Sequence, residues 1–175
     1  MNRDKWFHEL CMTVAKKSNC LSRKIGAILA TQDHTVLGVG YNGPPRGVPH
    51  CWDRYKIDPE LRQMLKAKKI DPDDSSHYST CPRYIAGFKS GEGLQWCVAG
   101  HAERNALINA AREGIETKGA ILYMDCGVPC TPCLVEIINA GIEEIVITKM
   151  TFYDASAKYL LDNCDVRCRV YDHLR

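Results

Sequence analysis

The strongest constraint on how this chain can fold is a regular alternation that begins near residue 102. Apolar residues at helical spacing cover 102–112, 131–139 and 155–162, and short apolar runs occupy 120–124, 144–148 and 166–171 between and after them. Strands alternating with short helices imply crossover units on a mixed sheet, with helices packed on its faces. Upstream, Trp6, Phe7, Leu10, Cys11 and Val14 recur at spacings of three and four, which predicts an amphipathic helix over 5–15. The stretches 25–31 and 35–41, split by Gln32-Asp33-His34, read as a strand hairpin. A helix, two strands and three helix–strand units together predict a three-layer α/β/α domain on a five-stranded mixed sheet. The segment 52–96 breaks the pattern. Asp58-Pro59 opens a charged helix over 60–69, whose Lys66, Lys68 and Lys69 read as a solvated face, and a polar loop follows at 71–76. The segment reads as too poor in apolar residues for a core of its own. We therefore expect a single domain over 1–175 with an insertion at about 52–96.

Composition limits the partners. Hydrophobic residues make up 45% of 175, enough for a core that needs no disulfides. Lys and Arg number 23 against 21 Asp and Glu, a net charge of +2. So even a balance argues against a nucleic-acid binder, which needs a phosphate-tracking basic surface. The longest strand-like apolar run is far too short to span a bilayer, so no membrane partner is expected. The start MNRDKWFHEL is interrupted by charges and reads as neither a secretory leader nor a transit peptide, which predicts a cytoplasmic protein.

Cysteine is the outlier, with 10 residues. In a reducing compartment, a Cys-x-x-Cys pair such as Cys130 and Cys133 is a metal-ligand pattern rather than a bridge. Cys11, Cys126, Cys164 and Cys168 read as small packing residues, the last two four apart on one strand. Two motifs stand at helix starts: His101-Ala102-Glu103, and Pro129-Cys130-Thr131-Pro132-Cys133. His-x-Glu followed by Pro-Cys-x-x-Cys is the signature of zinc nucleobase deaminases. Its spacing has a physical reason. Three protein ligands, His101, Cys130 and Cys133, leave a fourth tetrahedral position for water, the mark of a catalytic zinc. One helical turn points both sulfurs the same way, and a helix N-terminus stabilises thiolates. Glu103, two residues from the ligand His101, can reach that water without binding the metal and so serve as proton shuttle. A purely structural zinc site gives no reason for an acid there.

These boxes, extended to His101-Ala102-Glu103-Arg104-Asn105-Ala106 and joined by Gly40-Tyr41-Asn42-Gly43-Pro44 with a following Cys51, resemble the deoxycytidylate (dCMP) deaminases over nearly the whole chain. The resemblance implies zinc-dependent hydrolysis of dCMP to dUMP and ammonia, supplying dUMP for thymidylate synthesis. It implies a homohexamer activated by dCTP and inhibited by dTTP. It also implies nucleotide contacts from Asn42, Tyr41, Gly43, Arg112 and Tyr153. Arg46 is a further phosphate candidate from its charge and loop position. Relatives often carry a second, structural zinc, for which Cys20, Cys51, Cys81 and Cys97 are the candidates, with His50 and His77 as alternates for one ligand. Two departures from the family are the long insertion and Cys126, where relatives carry threonine or another small residue. Two rival readings stay open: a deaminase of another cytosine nucleotide or nucleoside (dCTP, modified dCMP), and a non-catalytic zinc-stabilised nucleotide-binding module. Glu103 separates the second, since a pure binder has no use for it.

Overall fold

The computed structural model describes residues 2–172, which divide into two compact units. Their elements, in chain order, are α1 (Arg3–Ala15), β1 (Gly26–Ala30), β2 (Val36–Tyr41), α2 (Cys51–Ile57), α3 (Pro59–Ala67), α4 (Pro82–Ile85), α5 (Ala102–Arg112), β3 (Ile121–Met124), α6 (Thr131–Asn139), β4 (Glu144–Ile147), α7 (Ala155–Asp162) and β5 (Arg167–Val170). No described helix is long and apolar enough to cross a membrane.

The first unit takes residues up to 18, 25–42 and from 101 onward. Its five strands run in the order β2-β1-β3-β4-β5. β1 pairs antiparallel with β2 and β3, and β3, β4 and β5 are parallel, so the sheet is mixed as expected. The period of two divides the strands between two cores. Ala27, Leu29, Leu122, Met124, Ile145 and Ile147 face α5, α6 and α7. Ile28, Ala30, Ile121, Tyr123 and Val146 face α1, where Phe7 stacks on Tyr123 at 3.9 Å between ring centroids.

Two glycines set how close the helices come. A Cβ on Gly26 would lie 2.0 Å from the Cys11 carbonyl oxygen of α1, and one on Gly40 would lie 2.1 Å from the Ala102 oxygen of α5. Only a residue without a side chain permits such contact. At Gly40, beside Asn42, the space is taken by the backbone of α5. Along the same edge, Asn105 and Asn109 donate to the outward carbonyls of Tyr41 and Val39 at 2.8 and 2.9 Å. On the α1 face the Arg169 guanidinium bridges the buried carboxylates of Asp4 and Glu144.

The second unit takes 19–24 and 43–100. Against the expectation, it closes a small core of its own from Tyr55, Leu61, Leu65 and Ala86. The apolar positions are few but spaced to meet: Leu61 and Leu65 sit one turn apart on α3, whose start Asp58 caps by accepting from the Leu61 N–H at 3.0 Å. Arg62 holds Asp73 through two nitrogens, at 2.9 and 2.8 Å. One correction concerns Cys164: it lies in the turn after α7, not on β5, because the strand begins only at Arg167.

Candidate active site

Both signature motifs sit at helix starts in the first unit, and both starts spend their capping residue in the same way. The N-cap of α5 is His101 and that of α6 is Cys130, and neither side chain makes a capping hydrogen bond. Their polar atoms turn toward each other instead. His101 Nδ1 lies 3.5 Å from Cys130 Sγ and 3.3 Å from Cys133 Sγ, and the two sulfurs are 3.5 Å apart. Glu103, buried in the first turn of α5, brings an oxygen to 3.7 Å from the same Nδ1. Among the described residues no other set of three or more such side chains gathers as closely, all four ligand atoms here falling within 4.8 Å of one another.

These separations suit a tetrahedral metal. With Zn–S of about 2.3 Å and Zn–N of about 2.05 Å, tetrahedral angles set edges of about 3.8 Å between sulfurs and about 3.6 Å from sulfur to nitrogen. The observed triangle is slightly tighter and needs only small side-chain movements to admit the ion. Two sulfurs and an imidazole are zinc's preferred donors. The four groups are also coupled electrostatically. The hydrogen bond shared with Cys133 pushes the Cys130 thiol down to about 5 against the opposing effect of burial, with His101 adding to the shift. That same bond pushes Cys133 up. Cys130 and Glu103 raise His101 to about 10. Burial works to raise the Glu103 carboxyl, but His101 beside it holds it below the usual carboxylate range.

The frame around this cluster is partly one that sequence reasoning missed. Arg104 reaches from α5 to Glu136 on α6 through two nitrogens, at 2.8 and 2.7 Å, clamping the two ligand-bearing helices together. Asp154, the N-cap of α7, also accepts from Thr131 at the start of α6. The Asp before a helical run was a readable cap signal; its second partner, 23 residues upstream, was not.

The expected nucleotide contacts are dispersed. Tyr41 ends β2 and Tyr153 precedes α7, both partly exposed. Asn42 is buried; its side-chain oxygen accepts from the Ile25 N–H at 2.8 Å and its carbonyl from the Ser18 hydroxyl at 2.6 Å, which fastens the end of the hairpin. Arg112 is exposed in the last turn of α5, about 16.5 Å of helix from His101 by the rise per residue. In the second unit Gly43 is buried and exchanges two backbone hydrogen bonds with Gly100, at 3.1 and 2.8 Å, while Arg46 is exposed.

The four other candidate cysteines all fall in the second unit. Cys51 opens α2, Cys81 is the N-cap of α4 and Cys97 follows the short turn 94–96. Burial raises the Cys51 thiol to about 11, and Cys81, Cys97 and Cys20 are near enough to add to the shift while Arg54 opposes it. Of the alternates, the His50 Nδ1 is buried without a hydrogen-bond partner, whereas His77 is engaged by the Asp71 carbonyl and Asp74.

Comparison with known proteins agrees with this geometry. Residues 1–149 match the model of the cytidine and deoxycytidylate deaminase zinc-binding region. A deoxycytidylate deaminase of Mycobacterium phage D29 is 33% identical over 83% of this chain and 94% of its own length. That of Schizosaccharomyces pombe is also 33% identical, over 96% of this chain, which spans only 44% of the yeast protein. Among solved structures, the dCMP deaminase of cyanophage S-TIM5 in complex with dCMP and dUMP shares the fold, with a TM-score of 0.64 at 21% identity over 97% of this chain and 98% of that one. With its His-Glu and Cys-Cys boxes meeting at two helix starts, this chain belongs to the cytidine and deoxycytidylate deaminase family.

Proposed function

We propose that this protein hydrolyses dCMP to dUMP and ammonia at the His101–Cys130–Cys133 cluster, with Glu103 moving the protons. One observation carries the reading: a buried carboxylate stands beside a three-ligand set in which it is not needed as a ligand. Zinc held by His101 Nδ1 and the two sulfurs would supply a nucleophilic water at neutral pH. Glu103 does the rest. Its carboxylate takes one proton from the attacking water and delivers it to the ring nitrogen N3, then takes the remaining proton of the added hydroxyl and passes it to the amine, which leaves as ammonia as the C4 carbonyl forms. Burial then keeps bulk water from competing for the proton.

The substrate choice rests on the deoxycytidylate deaminases among the relatives and on the fold neighbour bound to dCMP and dUMP. Nucleotide contacts are assigned to Asn42, Tyr41, Gly43, Arg46, Arg112 and Tyr153. dCTP activation, dTTP inhibition, a homohexamer, a cytoplasmic location and a role in supplying thymidylate synthesis belong to the same proposal. So does a structural zinc on Cys20, Cys51, Cys81 and Cys97, supported by Cys20, Cys81 and Cys97 lying near enough to Cys51 to help push its thiol up. The test is ammonia release from dCMP, dCTP, cytidine and a tRNA anticodon stem, each with and without added dCTP and dTTP. Turnover of dCMP above the others, moved in opposite directions by the two triphosphates, is expected. Preference for another substrate would replace the reading by that deaminase, and no turnover on any of them would leave a binding module.

A further inference from the structure

We propose that Asp154 is a positioning residue for the metal-ligand turn, its one carboxylate capping α7 and, at the same time, capping α6 from outside. The inference rests on the metal reading of the His101–Cys130–Cys133 cluster. The need for it comes from α6 itself. A helix start leaves N–H groups without partners, and the N-cap side chain normally accepts from one of them. Here the N-cap is Cys130, whose sulfur is turned toward His101 and Cys133 and makes no capping bond. Pro132 removes a second donor altogether. The Thr131 N–H is left at the first helical position, and Asp154 Oδ2 accepts it at 3.2 Å. Asp154 Oδ1 accepts from the Thr131 hydroxyl and, at 2.7 Å, from the Ala157 N–H of α7. Three donors on two helices thus converge on two oxygens.

This contact is the last rung of a ladder. Beyond the parallel pairing of β3 with β4, the Thr148 N–H donates to the Cys126 carbonyl at 2.9 Å, and the Val128 N–H to the Thr151 carbonyl at 3.1 Å. Between these rungs a Cβ on Gly127 would lie 2.5 Å from the Thr151 hydroxyl, so the strands' extensions run in direct contact. The Thr131–Asp154 pair ends the series at the turn that carries both sulfurs. Outer partners of this kind hold metal ligands in place, and their loss typically costs about 10–100-fold in metal affinity.

Asp154→Ser separates the two duties. Serine is a good N-cap and retains the bond to Ala157, but its single oxygen cannot also hold both Thr131 donors. Asp154→Asn keeps Oδ1 and turns an amide NH2 against the Thr131 N–H. In the full-length chain we expect both variants to keep the wild-type melting temperature within a few degrees. Both should release zinc to a chromophoric chelator about 10-fold faster or more, alter the visible spectrum of the Co(II)-substituted protein, and speed amide exchange at Thr131. Thr131→Val should add little to Asp154→Ser. Wild-type zinc release and wild-type Thr131 exchange in either folded variant would overturn the proposal. Failure of the wild-type protein to hold metal at this cluster would overturn the metal reading instead, and Thr131 exchange would still decide whether Asp154 caps α6.

Discussion

Two sets of candidate sulfur ligands occupy this chain, one in each unit, and they are organised differently. In the first unit His101, Cys130, Cys133 and Glu103 are already gathered within 4.8 Å. In the second, Cys20, Cys81 and Cys97 lie near enough to Cys51 to act on its thiol, but the four do not gather as tightly. The difference follows from what carries the ligands. Cys130 and Cys133 share one turn of α6, and α5 brings His101 and Glu103 to them through the Gly40 contact and the Arg104–Glu136 clamp. The four cysteines of the second unit lie 16 or more residues apart, on short helices and turns. A set built on packed helices is arranged before the metal arrives, as catalysis demands. A set strung along loops is one that a metal itself closes, and the binding energy then counts toward folding.

Changes that strike one set and spare the other test this contrast. The largest effect is expected from Cys133→Ser: dCMP turnover should fall at least about 10³-fold, with bound zinc dropping from two per chain to one by elemental analysis and the melting curve little changed. A large loss of stability would show that the first set is also a folding element. Cys81→Ala should do the reverse, lowering the zinc count by one and stability by about 3 kcal/mol or more, while the remaining folded protein still turns over. An unchanged count would remove the second metal from the account.

Arg169→Met is the control, because it loosens the α1 face of the sheet, whereas His101, Cys130 and Cys133 sit on helices packed against the other face. It leaves Asp4 buried without its main partner and should cost about 3 kcal/mol near neutral pH, read from chemical denaturation, with both metals retained. The pH dependence has a definite sign. Burial works to raise Asp4 and Glu144, but their arginine partners hold both below the ordinary carboxylate range. The stabilisation is therefore present above the unfolded-state values and lost as the pH falls through the folded ones. Wild type and variant should converge in stability at acid pH; divergence there would contradict the network. Gly40→Ala should have the smallest effect, about 1–3 kcal/mol in stability as α5 is pushed from β2. It should weaken zinc at His101 more than at Cys81, and equal weakening at both would refute the role given to Gly40.

Much of this was legible in the sequence, for stated reasons. The helices at 102–112, 131–139 and 155–162 coincide with α5, α6 and α7, because their apolar spacing agrees with their stops: Gly141 follows α6 with φ of +72°. The His-x-Glu and Cys-x-x-Cys boxes were readable because each is local, needing only one helical turn to align its atoms. What the sequence hid was non-local. α2 and α4 span only 7 and 4 residues, too few for a period to show. The close approach at Gly40, the second partner of Asp154 and the outward capping by Asn105 and Asn109 depend on which strand lies beside which helix. Asn42 illustrates the same limit: its residue type suits a nucleotide contact, yet its side-chain oxygen is fastened to Ile25.

The account stands most directly on Glu103, and the decisive measurement is zinc content together with ammonia release from dCMP for Glu103→Ala. It predicts wild-type zinc, an intact fold and turnover reduced by about 10²–10⁴-fold or more. Near wild-type turnover with zinc retained would contradict it.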